Sequence, residues 1–332
     1  FAYRVAIAGT CPGAEELKTI VTTDLIRPKH MVVAFLALDG RAPAGEPRAD
    51  GIPVLNCPPA GLLDAVRRLK ADTVLLADCA HDIIADLYPA LRRLRFESTV
   101  VLDALSAIEI YTGRIPLKMV NEQWLMQASA RFLAPVYIRT KRIFDCGVSA
   151  LLILALAPVW LLIILAIKAS VPGAPAIYSQ PRMGRFGQPF VMFKFRTMRP
   201  GADADGAAWS PADDPRVTRF GRFLRRYRLD EIPQFINVLR GEMSLVGPRP
   251  EQAEIVARLE EEIPFYRERE NVLPGITGWA QIRHPYGATL EDSRRKLEYD
   301  LFYINNMSPA LDIRISLNTL RIVIFGLERK TP

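Results

Sequence analysis

The sequence predicts an α/β protein, in which an N-terminal Rossmann-like parallel sheet domain precedes a mostly helical, membrane-inserted α+β domain. Three observations carry this prediction. Short apolar runs alternate with amphipathic segments at the start of the chain, a later run of 21 residues carries no charge, and a strongly basic segment follows it. The predicted boundaries are 1–115 for the first domain, 116–138 for a connector and 139–328 for the second domain.

Five apolar runs in the first domain predict strands, and amphipathic segments between them predict helices. The runs are RVAIAG, MVVAFLALDG, IPVLN, DTVLLAD and STVVLD, and the segments are EELKTIVTTDL, AGLLDAVRRLK and DIIADLYPALRRLR. Apolar strands separated by helices indicate a parallel sheet covered on both faces. The first turn, GTCPGAEE, lies where dinucleotide folds hold phosphate, but it is not GxGxxG, and Asp39 is a weak match to a ribose-binding acid. We expect a Rossmann-like domain with degenerate nucleotide binding.

Cysteine and histidine usage argues against a structural metal. The four cysteines are scattered without a CxxC pair, and the three histidines form no cluster. Neither a disulfide framework nor a zinc site is expected, and a reducing compartment fits better. The chain starts at Phe1, without a methionine or a signal peptide, so we expect that upstream sequence has been removed.

The uncharged run at residues 147–167, GVSALLILALAPVWLLIILAI, predicts a membrane helix. A helix of that length spans roughly 30 Å, the thickness of the hydrocarbon core, whereas a buried helix of a soluble core seldom stays apolar on every face. Pro158 should bend or break the helix in mid-run. Because Lys141 and Lys168 flank the two ends, the positive-inside rule gives no orientation. A re-entrant helix at about 143–168, with both ends on the cytoplasmic side, is therefore as consistent with the sequence as a simple span.

The positive charge of the chain is concentrated after this run. Residues 182–228 hold eleven lysines and arginines against four acids, a net charge of +7 that equals that of the whole chain. Such a field favours an anionic partner, and the adjacent apolar run favours lipid and phosphate over nucleic acid. Within the segment, Phe220, Phe223, Leu224 and Tyr227 recur at helical spacing. They predict a helix with an aromatic face at a membrane interface, with a solvated charged face as the alternative.

The stretch RLDEIPQ follows the arginines and places Asp230 beside Glu231. Pro233 is tolerated in a first helical turn, so we expect a helix that begins near Asp230, with both carboxylates at its N-terminus. Adjacent helical residues point about 100° apart, so the two acids should contact different groups. A carboxylate here could hold Mg²⁺ against a diphosphate, attack phosphorus, or only cap the helix. The residues alone indicate an anion-handling site and leave the reaction open.

The motifs together resemble a known family. KRIFD, the apolar run, FKFRTM, DDPRVTRFGRFLRRYRLDEIPQFINVLRGEMSLVGPRP, PGITGWAQ and KLEYDLFYINN are similar to the bacterial sugar transferases, the monotopic phosphoglycosyl transferases of exopolysaccharide, capsule and O-antigen assembly. The resemblance covers about residues 139–327. The first domain looks like the degenerate Rossmann-like domain of the larger members, which usually carry transmembrane helices before it.

The resemblance implies transfer of a sugar-1-phosphate from a UDP-sugar to undecaprenyl phosphate at the cytoplasmic face of the bacterial inner membrane, with release of UMP. Asp230 would attack the β-phosphate to form a covalent phosphosugar, Glu231 would be its partner, and Mg²⁺ would be held at Asp230. The break of the re-entrant helix would lie at Pro158, where this chain has Ala157 in place of a frequent serine. The matched positions with substrate or phosphate-binding roles are Lys194, Arg196, Arg225, Arg249 and Asp300.

Two other readings stay open on the sequence. A glycosyltransferase that moves only the sugar would release UDP, and a regulatory or scaffolding membrane protein would carry an inert dyad. Trp279 of PGITGWAQ could line the site or simply pack. The C-terminal run ALDIRISLNTLRIVIFG predicts an amphipathic helix on the membrane surface, with a homo-oligomer contact as the alternative.

Overall fold

The computed structural model describes residues 2–23, 30–38, 50–77, 83–122, 124–126, 135–202, 214–284 and 289–325. The chain divides into two compact units, Phe1–Met119 and Val120–Pro332. This division lies inside the predicted connector 116–138. Asp39, the weak match to a ribose-binding acid, lies outside the described residues.

The first unit is a five-stranded parallel sheet with the order β3-β2-β1-β4-β5 and helices on both faces. Alternate residues of β1 point to opposite faces: Val5 and Ile7 pack with α1 and α4, whereas Ala6 and Ala8 pack with α2 and α3. The predicted N-terminal parallel sheet with helices on both faces is therefore confirmed. Its elements are β1 Tyr3–Ala8, α1 Pro12–Thr23, β2 His30–Ala37, β3 Val54–Asn56, a 3-10 turn Pro59–Gly61, α2 Leu62–Leu69, β4 Thr73–Leu76, α3 Ile84–Phe96, β5 Val100–Asp103, α4 Ala104–Thr112 and a 3-10 turn Leu117–Met119.

Helix α4 is absent from the sequence prediction. Asp103 ends β5 and caps α4, with its carboxylate accepting a hydrogen bond from the backbone N–H of Ser106 at 2.7 Å. Gly113 ends the helix in the left-handed conformation, with φ of 67°. These two residues are the start and stop signals of a helix, so the sequence did contain the information.

The second unit combines one long helix, six shorter helices and two small sheets among its described residues. Strands β6 and β7 form an antiparallel hairpin, and β8 and β9 form a parallel pair. The predicted α+β character is confirmed. The elements are α5 Pro135–Ser170, β6 Ile177–Met183, a 3-10 turn Arg185–Gly187, β7 Pro189–Phe195, α6 Arg219–Arg226, a 3-10 turn Leu229–Glu231, α7 Gln234–Arg240, β8 Ser244–Val246, α8 Ala253–Glu262, a 3-10 turn Tyr266–Asn271, β9 Gly275–Thr277, α9 Trp279–Arg283, α10 Leu290–Asn305 and α11 Pro309–Phe325.

Helix α5 carries the apolar run and is the one helix of the described chain that is long and apolar enough to cross a membrane. Only 11% of its most apolar 18-residue window is buried in the protein, so a soluble core does not account for it. The helix begins eight residues before the predicted 143 and is continuous through Pro158. The helix is not interrupted at Pro158, and the predicted kink at that residue stays a prediction. A proline removes one backbone hydrogen bond, and the remaining bonds hold a helix of this length together.

Polar contacts tie the first turns of α5 to the rest of the unit. Lys141 donates to the Asp312 carboxylate of α11 at 2.8 Å, and Tyr137 donates to the same oxygen at 2.9 Å. The hydroxyl of Ser244, on β8, donates to the buried Asp145 at 2.6 Å. These bonds fix the start of the apolar helix relative to the elements that carry the candidate site.

Candidate functional site

Helix α6 brings the first cation to the site. Thr218 caps the helix by accepting a hydrogen bond from the N–H of Gly221 at 2.9 Å. Gly221 itself lies so close to the end of the β6–β7 hairpin that a Cβ there would be 2.1 Å from the carbonyl oxygen of Thr197. One turn later, Arg225 donates to the Thr197 hydroxyl at 3.0 Å. The arginine is therefore fixed at the end of the hairpin.

The two carboxylates follow on a short 3-10 turn, Leu229–Glu231, rather than inside one helix that begins near Asp230. Arg228 precedes the turn in the left-handed conformation, with φ of 52°, and reverses the chain after α6. Helix α7 begins only at Gln234, with Pro233 as its cap. The start of the predicted helix is thus displaced from Asp230 to Gln234, because the left-handed Arg228 and the 3-10 turn come before it.

Glu231 is bound by three cations. Its carboxylate is 2.7 Å from Arg249, 3.3 Å from Arg228 and 3.7 Å from Lys194. Burial alone would raise the pKa of Glu231, but the charges of Arg249, Arg228 and Lys194 outweigh burial and hold that pKa well below its ordinary value. Glu231 is therefore an ionised carboxylate that orients the cations around it.

Asp230 differs from its neighbour. Its side chain is 7% exposed, and it makes no ion pair or hydrogen bond with the described part of the chain. Burial raises the pKa of Asp230, the charge of Glu231 raises it further, and Lys194, Arg225 and Arg249 oppose both. Its oxygens are therefore available to a ligand. This agrees with the expectation that the two acids contact different groups.

The structure brings together three of the five predicted phosphate-binding residues. Lys194, Arg225 and Arg249 all lie close enough to act on the charge of Asp230. Arg196 does not join them, because its guanidinium donates to the Pro175 carbonyl at 2.8 Å. Strand β7 ends at Phe195, so Lys194 lies within the strand and Arg196 lies just after it.

Asp300 is also absent from the cluster. It is 1% exposed on α10 and accepts two hydrogen bonds from Arg269, at 2.8 and 3.0 Å. Arg269 in turn donates to the backbone carbonyl of Arg249 at 2.9 Å. Asp300 thus holds the arginine that donates to the backbone of Arg249, and its phosphate-binding role stays a prediction.

Asp300→Asn is expected to destabilise the protein by about 3–5 kcal/mol, because Arg269 would keep its buried charge without a counter-charge. Denaturant unfolding of the detergent-solubilised protein measures this loss. Glu260→Gln is the matched control, since Glu260 pairs with Arg267 on the surface at 2.6 Å and should contribute less than about 1 kcal/mol. Equal losses in the two variants would contradict the buried role of Asp300.

Three residues of the site were missed as individual functional residues. Arg228 contacts Glu231, and Thr197 contacts Arg225. Arg269 donates a hydrogen bond to the backbone of Arg249. The arginine run next to the dyad could have pointed to Arg228. No sequence signal identifies Arg269, because Arg249 and Asp300, which it connects, lie 20 and 31 residues away.

The donor set fits a Mg²⁺ ion only together with a phosphorylated ligand. The described residues contain no group of three or more histidine, cysteine or acidic side chains that could hold a metal. Mg²⁺ is usually bound by one or two carboxylates plus substrate phosphates and water. Since Glu231 is occupied by cations, Asp230 would be the protein ligand.

Trp279 is a core residue of the second unit. It is buried, stacks on Phe302 and belongs to the core around Tyr303, so it packs rather than lining the site.

The C-terminal helix α11 has a stripe of exposed apolar residues: Ile313, Leu317, Leu320, Ile324 and Phe325. The helix itself is confirmed, and its docking on a membrane stays a prediction.

Comparison with known proteins agrees with the motifs. The chain is 38% identical over 253 residues to the UDP-N-acetylgalactosamine-undecaprenyl-phosphate N-acetylgalactosaminephosphotransferase of Aeromonas hydrophila, covering 74% of this chain and 59% of that protein. It is 47% identical over 192 residues to the undecaprenyl-phosphate glucose phosphotransferase of Komagataeibacter xylinus, covering 56% and 36%. It is 44% identical over 182 residues to the UDP-glucose:undecaprenyl-phosphate glucose-1-phosphate transferase of Escherichia coli K12, covering 54% and 39%.

The chain thus spans less than two thirds of the length of each of these three relatives. The sequence profile described as "Bacterial sugar transferase" matches residues 136–326. That range holds the long apolar helix, the dyad and every cation placed beside it. Because the match covers more than half of the chain, the chain belongs to the bacterial sugar transferase family.

Proposed function

We propose that the protein transfers a sugar-1-phosphate from a UDP-sugar to undecaprenyl phosphate at the cytoplasmic face of the membrane, and so starts a bacterial surface polysaccharide. The observation that carries this proposal is the contrast within the dyad. Glu231 is neutralised by three cations, while the equally buried Asp230 has no partner among the described residues. The names of the relatives agree with these substrates.

The reaction follows from the position of Asp230. One of its oxygens attacks the β-phosphorus of the UDP-sugar, the bond from that phosphorus to the bridging oxygen breaks, and UMP leaves. An oxygen of undecaprenyl phosphate then attacks the same phosphorus and releases the Asp230 carboxylate. Lys194, Arg225 and Arg249 neutralise phosphoryl oxygens during both displacements. Mg²⁺, when bound by Asp230 and the diphosphate, would shield the carboxylate from the charge of the phosphate.

The nucleotide product tests this proposal directly. With undecaprenyl phosphate and a panel of UDP-sugars, the purified protein should release UMP with at least one donor. Release of UDP would identify a transferase that moves only the sugar. No nucleotide release with any donor would favour a regulatory membrane protein. The same panel identifies the sugar.

Deprotonation of Lys194 should make kcat/KM fall on the alkaline side of the pH profile, its basic limb. Burial lowers the pKa of Lys194 to about 8, and the charge of Arg249 acts in the same direction. As pH rises through about 8, the lysine loses its charge and the free enzyme binds diphosphate less well, so kcat/KM should fall. Lys194→Arg stays protonated over this range and should lose the limb. An identical decline in both proteins would contradict the assignment.

We also propose that α5 enters and leaves the membrane on the cytoplasmic side, with Pro158 bending a continuous helix. Both ends carry basic residues, and the site chemistry requires one compartment for Lys141 and the dyad. Single cysteines placed before residue 143 and after residue 168 should be labelled from the same side of a sealed vesicle. Labelling from opposite sides would establish a simple span instead.

A further inference from the structure

Gln234, the first residue of α7, is a buried amide without a partner. Its side chain is 1% exposed, and Nε2 has no hydrogen-bond partner among the described residues. The large majority of buried polar side-chain atoms in proteins are hydrogen-bonded, so an unbonded amide at this depth calls for an explanation.

Its position places it beside the dyad. Ile232 and Pro233 both have helical backbone angles, so the chain is helical from the 3-10 turn into α7. Gln234 therefore lies four residues after Asp230, roughly 6–8 Å further along the axis of this helical stretch. An amide there can reach a group that is bound to Asp230.

Asn237, one turn further along α7, is a buried amide that is bonded within the protein. Asn237 is fully buried, donates to the Val191 carbonyl at 2.7 Å and to Glu242 at 2.6 Å, and accepts from the N–H of Phe193 at 3.1 Å. The helix therefore carries two buried amides, of which one is bonded within the protein and the other is not.

We propose that Gln234 is a substrate-binding residue whose Nε2 donates a hydrogen bond to a phosphoryl oxygen of the diphosphate that Asp230 attacks; this rests on the proposed function. The group that Asp230 attacks is phosphorus, and the acceptors nearest to it are phosphoryl oxygens. Arg228 is already directed to Glu231. A neutral donor orients a phosphoryl oxygen without adding charge to the site. Binding of the diphosphate also gives the buried amide the hydrogen-bond partner that it lacks.

UDP binding to the full chain in nanodiscs tests the assignment apart from turnover. In an Asp230→Asn background, Gln234→Met should weaken UDP binding roughly 10–100-fold, the usual effect of losing a hydrogen bond to a charged group. In the wild-type background, the same substitution should lower kcat/KM by a similar factor. Unchanged UDP binding would overturn the proposal, including the case in which only kcat falls, because Gln234 would then act on Asp230 instead.

Thermal unfolding separates this role from a structural one. Methionine has nearly the same length as glutamine and no polar atom to satisfy, so Gln234→Met should keep or raise Tm. Asn237→Leu, the matched control, should lower Tm by several degrees because it leaves three protein groups without their partner. A comparable loss in Gln234→Met would show that the amide is bonded within the protein and would overturn the proposal.

The two proposals fail differently. Release of UDP instead of UMP by the wild-type protein would refute phosphosugar transfer and leave the UDP-binding comparison intact. Release of UMP together with unchanged UDP binding in Gln234→Met would refute only the role of the amide.

Discussion

Asp230→Asn is expected to lower turnover by at least about 10³-fold, while the protein stays folded and bound to membranes. An amide oxygen is a poor nucleophile, so no covalent phosphosugar should form. Incubation with a UDP-sugar labelled in the β-phosphate, followed by denaturation, should leave label on the wild-type protein and none on the variant. Retention of full turnover by the variant would exclude Asp230 as the nucleophile.

The same substitution should not destabilise the protein. The folded state raises the pKa of Asp230 above its ordinary value of 3.8, through burial first and the charge of Glu231 second. Ionisation of Asp230 therefore costs folding free energy that builds up as the pH rises from 3.8 to the folded pKa and is fully present above it, and a neutral asparagine removes that cost. Urea unfolding at neutral pH should give a free energy equal to or larger than that of the wild type. A large decrease would show that Asp230 has a partner in the folded protein.

Glu231→Gln should have the opposite effect on stability and also abolish most activity. Three cations would lose their counter-charge, which costs about 3–5 kcal/mol for a buried pair. Because Arg249 and Arg228 are partly exposed, with 23% and 27% of their side chains accessible, we expect about 2–3 kcal/mol. Turnover should fall at least about 100-fold, because Arg249 and Lys194 would no longer be held toward the phosphate.

The pH dependence of that loss provides its control. The folded state lowers the pKa of Glu231 below its ordinary value of 4.5, so its stabilising contribution is present above that pH and is lost as pH falls toward the folded pKa. The stability difference between wild type and Glu231→Gln should therefore shrink as the pH is lowered below about 4.5. A difference independent of pH would point to packing instead of charge.

The sheet domain could be predicted almost completely, because its elements are set by local patterns. Buried strands such as Thr73–Leu76 are continuous apolar runs, and the helices between them have one apolar face. Their alternation permits few topologies other than a parallel sheet. The apolar helix α5 could also be predicted, although it begins eight residues before the predicted start.

The site could be predicted only where neighbours in sequence are also neighbours in space. Asp230, Glu231 and the arginine run are close in both senses. Asp300 and Arg196 match family motifs, but a motif does not reveal which way a side chain points. Arg269 pairs with a residue 31 positions away, and only the packing of α10 against the 3-10 turn Tyr266–Asn271 brings them together.

The close approach at Gly221 has a consequence for the chemistry. A side chain at this position would meet the Thr197 backbone, so α6 would have to move away from the end of the hairpin. Arg225 lies on that helix and would move with it, away from Asp230. Under the proposed function, the affinity for the donor would therefore depend on a steric limit at Gly221, and an added methyl group there would weaken donor binding with every charge still present.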